Sequence, residues 1–401
     1  MKSVAIIGAG AAGCFCAISS KRRHPDWNIE VLEAGSVPMA KLALTGGGRC
    51  NITNTFEHVR SLKEVYPRGS SLMKRLLKEF SQNDLLAWFG NEGIRFTAQE
   101  DGCVFPCSQD AMQIVGCLFS LMDRDGVRLR CGTRVTGIVP EGEQFRLHLQ
   151  SGKELCYDKV ALCIGGSSSA FLEKMLPDGI EIVRTVPSLF TFRTGDDGLK
   201  GLMGTVVKAA RLTIPGSGFG SEGILLITDW GLSGPAALKL SSYAAQYLYE
   251  HQYRSSLVIN WTAESEIRIR EQLSNIGAQN SRKHVSSVGL PNLTSRLWAY
   301  LCAKAGLKTD LKWSELQGKP LNRLVSTLIA DECAITGRAS FKEEFVTCGG
   351  VALGEVSPQT LESRKYPGLF FAGEVLDIDA VTGGFNLQAA WSTAHAISEH
   401  L

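Results

Sequence analysis

Residues 4–13 read Val-Ala-Ile-Ile-Gly-Ala-Gly-Ala-Ala-Gly, an apolar run that ends on the spacing G-x-G-x-x-G. Four apolar side chains in a row fit a strand buried on both faces, and the stretch from Ala11 to residue 20 continues as a helix. Between strand and helix, Gly8 permits the tight turn, Gly10 lets the backbone approach a pyrophosphate, and Gly13 lets helix and strand pack closely. The helix N-terminus, with Ala12 in its first turn, offers N–H groups and a positive partial charge to phosphate. A second strand is predicted at residues 29–32. Glu33 closes it, twenty residues past Gly13, where a carboxylate can accept hydrogen bonds from ribose hydroxyls. An acid there repels a 2′-phosphate, so the pattern predicts a dinucleotide without one, NAD or FAD, and does not choose between them.

FAD is longer than this turn can cover, and two later segments are candidates to hold its far end. The first is residues 41–54, Lys-Leu-Ala-Leu-Thr-Gly-Gly-Gly-Arg-Cys-Asn-Ile-Thr-Asn, predicted as a loop. Gly46, Gly47 and Gly48 remove side chains where backbone must approach a flat ring or phosphates. Lys41 and Arg49 can offset phosphate charge, while Asn51 and Thr53 can bond a ring edge or cap a following turn. Cys50 is counted with them as a contact and as a candidate redox participant, although no CxxC pair exists to make a dithiol. The second segment, residues 368–388, is an apolar strand ending at Ala372-Gly373, then Glu374 and Asp377, then Thr382-Gly383-Gly384 opening a helix through Phe385, Asn386 and Leu387. Glu374 stands where a ribityl or phosphate-bridging contact is needed. The helix N-terminus, aimed at the pyrimidine side of a flavin, would stabilise the negative charge that develops there on reduction. Asp379 and Asn386 read either as polar contacts to the ring or as loop caps.

Taken together, residues 45–51 (TGGGRCN), 231–235 (GLSGP), 348–351 (CGGV), 373–377 (GEVLD) and 382–388 (TGGFNLQ) resemble the BaiN-like, aminoacetone-oxidase-like flavoproteins. The resemblance implies an α/β fold. It implies further that a Rossmann-like two-dinucleotide-binding FAD domain is built from both ends of the chain and interrupted by an insert of a β-barrel-like sheet plus a helical subdomain. It also implies that Val135, through backbone groups at the adenine, and Gly165 join the FAD contacts named above. The chain departs from the family after Gly165-Gly166-Ser167, where it runs Ser-Ser-Ala-Phe-Leu-Glu-Lys and is shorter, and at Ala380, where glycine is usual.

The expected domains are 1–186 with 341–401 for FAD, 187–262 with 321–340 for the barrel-like insert, and 263–320 for the helical subdomain. Residues 127–135, 144–149 and 159–164 are predicted as a small meander returning to the main sheet. Residues 189–192, 206–214 and 224–228 are predicted as strands of a second sheet. Helices are predicted at 70–78, 82–91, 264–276, 293–305, 321–329 and 386–399.

With 42 Lys+Arg against 40 Asp+Glu and 44% hydrophobic residues, bulk charge points to neither nucleic acid nor a membrane surface. The N-terminal apolar run is too short and glycine-broken for a leader or span, so a cytoplasmic, membrane-free protein is expected. The twelve cysteines have neither zinc nor dithiol spacing, and no metal is expected.

The leading function is an FAD-dependent oxidoreductase on a small organic substrate, with hydride transfer at flavin N5. It works either as an oxidase or with NAD(P)H as a transient donor. No catalytic side chain is assigned, because the cofactor carries the chemistry. A flavin-dependent RNA-modifying protein is the alternative from another class; it would need a basic track, for which residues 21–23 (Lys-Arg-Arg) and 282–284 (Arg-Lys-His) are candidates. A flavin-binding protein without turnover is the third.

Overall fold

A computed structural model describes residues 2–339 and 346–401. The boundary expected between residues 340 and 341 lies outside the described residues. The chain forms two compact units, Met1–Val186 with Val346–Leu401, and Pro187–Phe345.

The first unit is built on a five-stranded parallel sheet. Strand β1 (Ser3–Ile7) lies between β2 (Asn28–Leu32) and Lys159–Leu162, with Leu369–Phe371 and Arg128–Arg130 at the edges. Helix α1 (Ala11–Arg23) joins β1 to β2 and completes the βαβ unit. Val4, Ala5 and Ile6 are wholly buried, as a strand covered on both faces requires. The closing helix, Phe385–His400, carries Trp391, Ala394 and Ile397 fully buried, and Trp391 meets Phe15 of α1 edge to face at 5.7 Å.

The predicted meander is corrected in one respect. Residues 127–135 are not one strand: Arg128–Arg130 pairs in parallel with β2, whereas Val135–Glu141 begins a separate antiparallel sheet with Gln144–Leu149 and Glu154–Tyr157. Gly132, at φ 63°, breaks the run between them. The segment predicted as a loop from residue 41 also starts differently, as the helix Ala40–Gly48, which loses helical geometry at Thr45, Gly46 and Gly47 and, with φ 84°, at Gly48. Ala40 to Leu44 are nearly all strong helix formers, and the glycines end them.

The second unit is a closed six-stranded antiparallel barrel in the order Phe192–Thr194, Gly231–Ser233, Gly220–Ile227, Val206–Thr213, Ser255–Asn260, Asp331–Arg338. Residues 189–192 were predicted as a strand, but Leu189 has φ 56° and pairing begins only at Phe192. The predicted helices appear as Glu266–Gln279, Ser295–Lys304 and Gly318–Ile329. Gly234–Tyr243 and Ala245–Glu250 lie outside the predicted helix ranges. The core holds Trp261 and Trp298, whose indole N–H groups donate to Asp331 Oδ2 at 3.0 Å and Val285 O at 2.8 Å. Among the described residues, no helix is long and apolar enough to cross a membrane.

Candidate cofactor site

The turn after β1 is held by the protein on two sides and bare on a third. Gly8 donates to Leu32 O at 2.8 Å and has φ 103°. A Cβ on Gly13 would stand 1.9 Å from Gly8 O, so strand end and helix touch backbone to backbone. A Cβ on Gly10 would meet nothing within 4 Å. Gly10 is also the N-cap of α1, with no side-chain cap and no acid in the first turn, so the orphan N–H groups there, including Ala12's, lack a built-in anion. Glu33 braces the turn: its Oε2 accepts from Ala9 N at 2.8 Å and its Oε1 from Gly35 N at 2.7 Å. Each oxygen keeps a lone pair for another donor. Thr133 N donates to Glu33 O at 2.7 Å, which brings buried Val135, two residues on, to the same end.

The second segment reaches this turn through Met39 N, which donates to Ala9 O at 2.7 Å. Gly46 is tight, its Cβ position 2.8 Å from Asn51 N, whereas the Cβ positions of Gly47 and Gly48 meet nothing within 4 Å. Arg49 lies 4.3 Å over the Phe105 ring and bonds Gly46 O, while Lys41 is exposed on the helix. Cys50 is fully buried, and burial pushes its thiol up to about 12 against a weaker opposing hydrogen bond from Thr45. It is therefore a protonated core thiol, not a poised nucleophile.

The third segment closes on both. Beyond Leu369–Phe371, a Cβ on Gly373 would stand 3.2 Å from Ala12 Cβ. Glu374 Oε1 accepts from Thr347 N at 2.7 Å, and its Oε2 is 3.7 Å from the Cβ position of Gly165. Burial and the neighbouring Asp379 raise the Asp377 carboxyl. Asp379 is wholly buried and paired with Arg68. Burial alone would lower Arg68, but hydrogen bonding and charge from Asp379 outweigh it and raise it. Asn386 spends its amide on the loop, donating to Ala380 O and accepting from Ala380 N, both at 2.9 Å. Gly384 has φ 88°, and its Cβ position is 2.3 Å from Thr53 O. Asn51, with its amide oriented to satisfy both ends, donates to Thr53 O at 3.0 Å and accepts from Gly384 N at 3.1 Å. The N–H groups left at that helix start are those of Phe385, Asn386 and Leu387.

The glycine turn, the TGGGRCN segment and the TGGFNLQ helix start thus converge within the first unit. The sequence reading missed Arg68 and Tyr66. Arg68 pairs with Asp379 across 311 positions, and Tyr66 Oη donates to Phe385 O at 2.8 Å. No local spacing announces either contact.

A family model described as the HI0933-like protein Rossmann domain matches residues 2–400. A ribosomal RNA dihydrouridine synthase of Escherichia coli is 31% identical over 407 residues, covering 99% of this chain and 97% of the relative. A 3-dehydro-bile acid delta(4,6)-reductase of Clostridium scindens is 27% identical, covering 98% of each. A solved 3-ketosteroid-delta4-(5alpha)-dehydrogenase of Rhodococcus jostii aligns over 99% of this chain and 96% of its own, at 15% identity and a TM-score of 0.49. The chain belongs to the HI0933-like Rossmann family, the BaiN-like and aminoacetone-oxidase-like flavoproteins that its motifs resemble.

Proposed function

We propose that this chain is an FAD-dependent oxidoreductase whose cofactor lies along the three converging segments. The observation that carries the reading is the way the glycines divide. Gly10, Gly47 and Gly48 face open space where a Cβ would stand, whereas Gly8, Gly13, Gly46 and Gly384 are pressed against protein atoms. Bare backbone beside unfilled space, on segments tied to one another, suits a long, flat dinucleotide.

On this reading Gly10, Ala12 and the α1 N-terminus hold the pyrophosphate, between Gly8 and Gly13. Glu33 takes the ribose, with Val135 at the adenine. Gly373, Glu374, Asp377 and Gly165 line the ribityl stretch. Lys41, the glycines 46–48, Arg49 and Asn51 flank the ring, while Cys50 stays in the core. The N–H groups of Phe385, Asn386 and Leu387, behind Gly384, receive negative charge at its pyrimidine end. When bound, FAD supplies hydride transfer, which no side chain here can provide.

Within that class we read the chain as a reductase of a carbon–carbon double bond conjugated to a carbonyl. Dihydrouridine is uridine with such a bond saturated, and a delta(4,6)-reductase of a 3-dehydro bile acid acts on the same arrangement. Uridine in RNA stands first as substrate class, because the E. coli relative with that name is similar end to end. This revises the expectation, drawn from bulk charge, against nucleic acid. Of the two basic runs, Lys21, Arg22 and Arg23 are engaged internally, by Pro25 O and Trp27 O, by Glu92 and Asp125, and by Glu399 respectively. Arg282 and Lys283 are exposed. A planar small-molecule enone is the second reading, favoured by the C. scindens relative.

The test is anaerobic. The purified protein should show oxidised-flavin absorbance, bleach with NADH or NADPH, and regain colour on adding unmodified ribosomal RNA, whose uridine then gains the mass of two hydrogens. Recolouring by an enone and not by RNA would select the second reading. Colourless protein would remove both.

A further inference from the structure

A directed chain of hydrogen bonds runs behind the proposed ring site. Thr53 Oγ1 donates to Gln388 Oε1 at 2.6 Å, Gln388 Nε2 to Ser392 Oγ at 2.9 Å, and Ser392 Oγ to Phe80 O at 2.9 Å. Thr53 and Gln388 are 0% exposed and Ser392 1%. The direction is forced from one end. A backbone carbonyl only accepts, so Ser392 must donate to it and accept from the amide, and the amide oxygen must face Thr53.

At its other end the chain meets the helix start. Thr53 O takes the Asn51 amide, and Asn51 takes Gly384 N, the last N–H before those of Phe385, Asn386 and Leu387. Trp391 Nε1 donates to Ile52 O at 3.1 Å and Asn54 Nδ2 to Gly383 O at 3.0 Å, so residues 51–54 are laced to both sides of that turn. Stability alone does not call for three buried polar side chains here, since replacing a bonded pair by apolar groups of the same shape is nearly neutral. What such a network adds is one fixed geometry.

We propose that Gln388 is a positioning residue for the flavin. It fixes Thr53 and, through Asn51, the direction in which the N–H groups of Phe385, Asn386 and Leu387 present their positive charge to the pyrimidine end of the ring, and so sets the reduction potential. This rests on the FAD reading above.

The experiment measures the potential of the bound flavin in wild type, Gln388→Leu, Thr53→Val and Thr53→Ser, by equilibration with a reference dye, alongside thermal unfolding of each. Gln388→Leu and Thr53→Val should retain flavin with a potential shifted negative. The reduced-to-oxidised ratio at a fixed potential should fall about tenfold, which is about 30 mV for a two-electron couple. Thr53→Ser, which keeps the hydroxyl, should stay at the wild-type value. If Gln388→Leu does not fold, Thr53→Val, nearly isosteric, reads the same link. Flavin held at the wild-type potential in the variants, or Thr53→Ser shifting as far as Thr53→Val, overturns the positioning role alone. Wild-type protein without flavin absorbance overturns the FAD reading and the role with it.

Discussion

Gly10 and Gly384 each stand immediately ahead of a helix, and in the sequence they look alike. Their surroundings differ. The Cβ position of Gly10 is open for 4 Å, while that of Gly384 is 2.3 Å from Thr53 O in a left-handed backbone. The N-terminal turn is shaped to leave room. The C-terminal turn is fixed by the protein itself, through Arg68 with Asp379, Asn386 with Ala380, Asn51 with Gly384, and Tyr66 with Phe385. One glycine idiom therefore serves two ends, and mutations should separate loss of ligand from loss of fold.

The largest effect on folding should come from Arg68→Met. It removes the guanidinium paired with the wholly buried Asp379 carboxylate, and breaking such a pair from one side costs about 3–5 kcal/mol. A denaturant titration of the apoprotein reads this. Arg68→Met with wild-type stability would mean that the C-terminal turn is not held by its ion pair.

Gly384→Ala comes next. It combines a left-handed residue with a Cβ placed against a carbonyl oxygen, together about 3 kcal/mol. Unfolding should shift in the same assay, with or without flavin present. An unchanged midpoint would show that this turn is as open as the first.

How much of this was legible in the sequence follows from the range of each interaction. The turn at residues 8–13, the acid at Glu33 and the helix start after Gly384 are local, because their spacing and residue types answer to backbone geometry alone. Arg68 with Asp379 is not, since 311 positions separate the partners and only the folded chain brings them together. The split of residues 127–135 into two sheets hinged on Gly132, which reads as a strand interruption only once each half has found its own partner. The extent of the helix Gly234–Tyr243 is hard to read because Ala236, Ala237, Ser241 and Ser242 form much of its buried face, and such small residues leave no marked apolar stripe.

A smaller effect sits on the closing helix. His395 stacks on Phe80 at 4.4 Å. Burial, then the charge of Arg23, holds its imidazole below the ordinary value, with Asp84 acting the other way. A depressed pKa in the fold favours the neutral ring. Its contribution is complete above the unfolded value of about 6.5 and is lost as pH falls through the folded value, because the unfolded chain takes the proton first. Wild-type melting temperature should therefore drop faster than that of His395→Gln between about pH 7 and about pH 5. Parallel curves would remove His395 from the account of what anchors this helix.

The smallest effect on folding, and the sharpest use of the contrast, belongs to Gly10→Ala and Gly10→Val. With nothing within 4 Å of the Cβ position and φ at −89°, the added Cβ meets no protein atom, and apoprotein stability should fall by no more than about 1 kcal/mol, the order of replacing a tolerated N-cap residue. The same methyl groups would occupy the space assigned to the pyrophosphate, so flavin absorbance should weaken with alanine and vanish with valine. Stability kept and colour lost is the reverse of what Gly384→Ala should show in apoprotein. A yellow Gly10→Val protein would mean that the room beside Gly10 is not where the dinucleotide lies, and the difference between the two turns would then have some other cause.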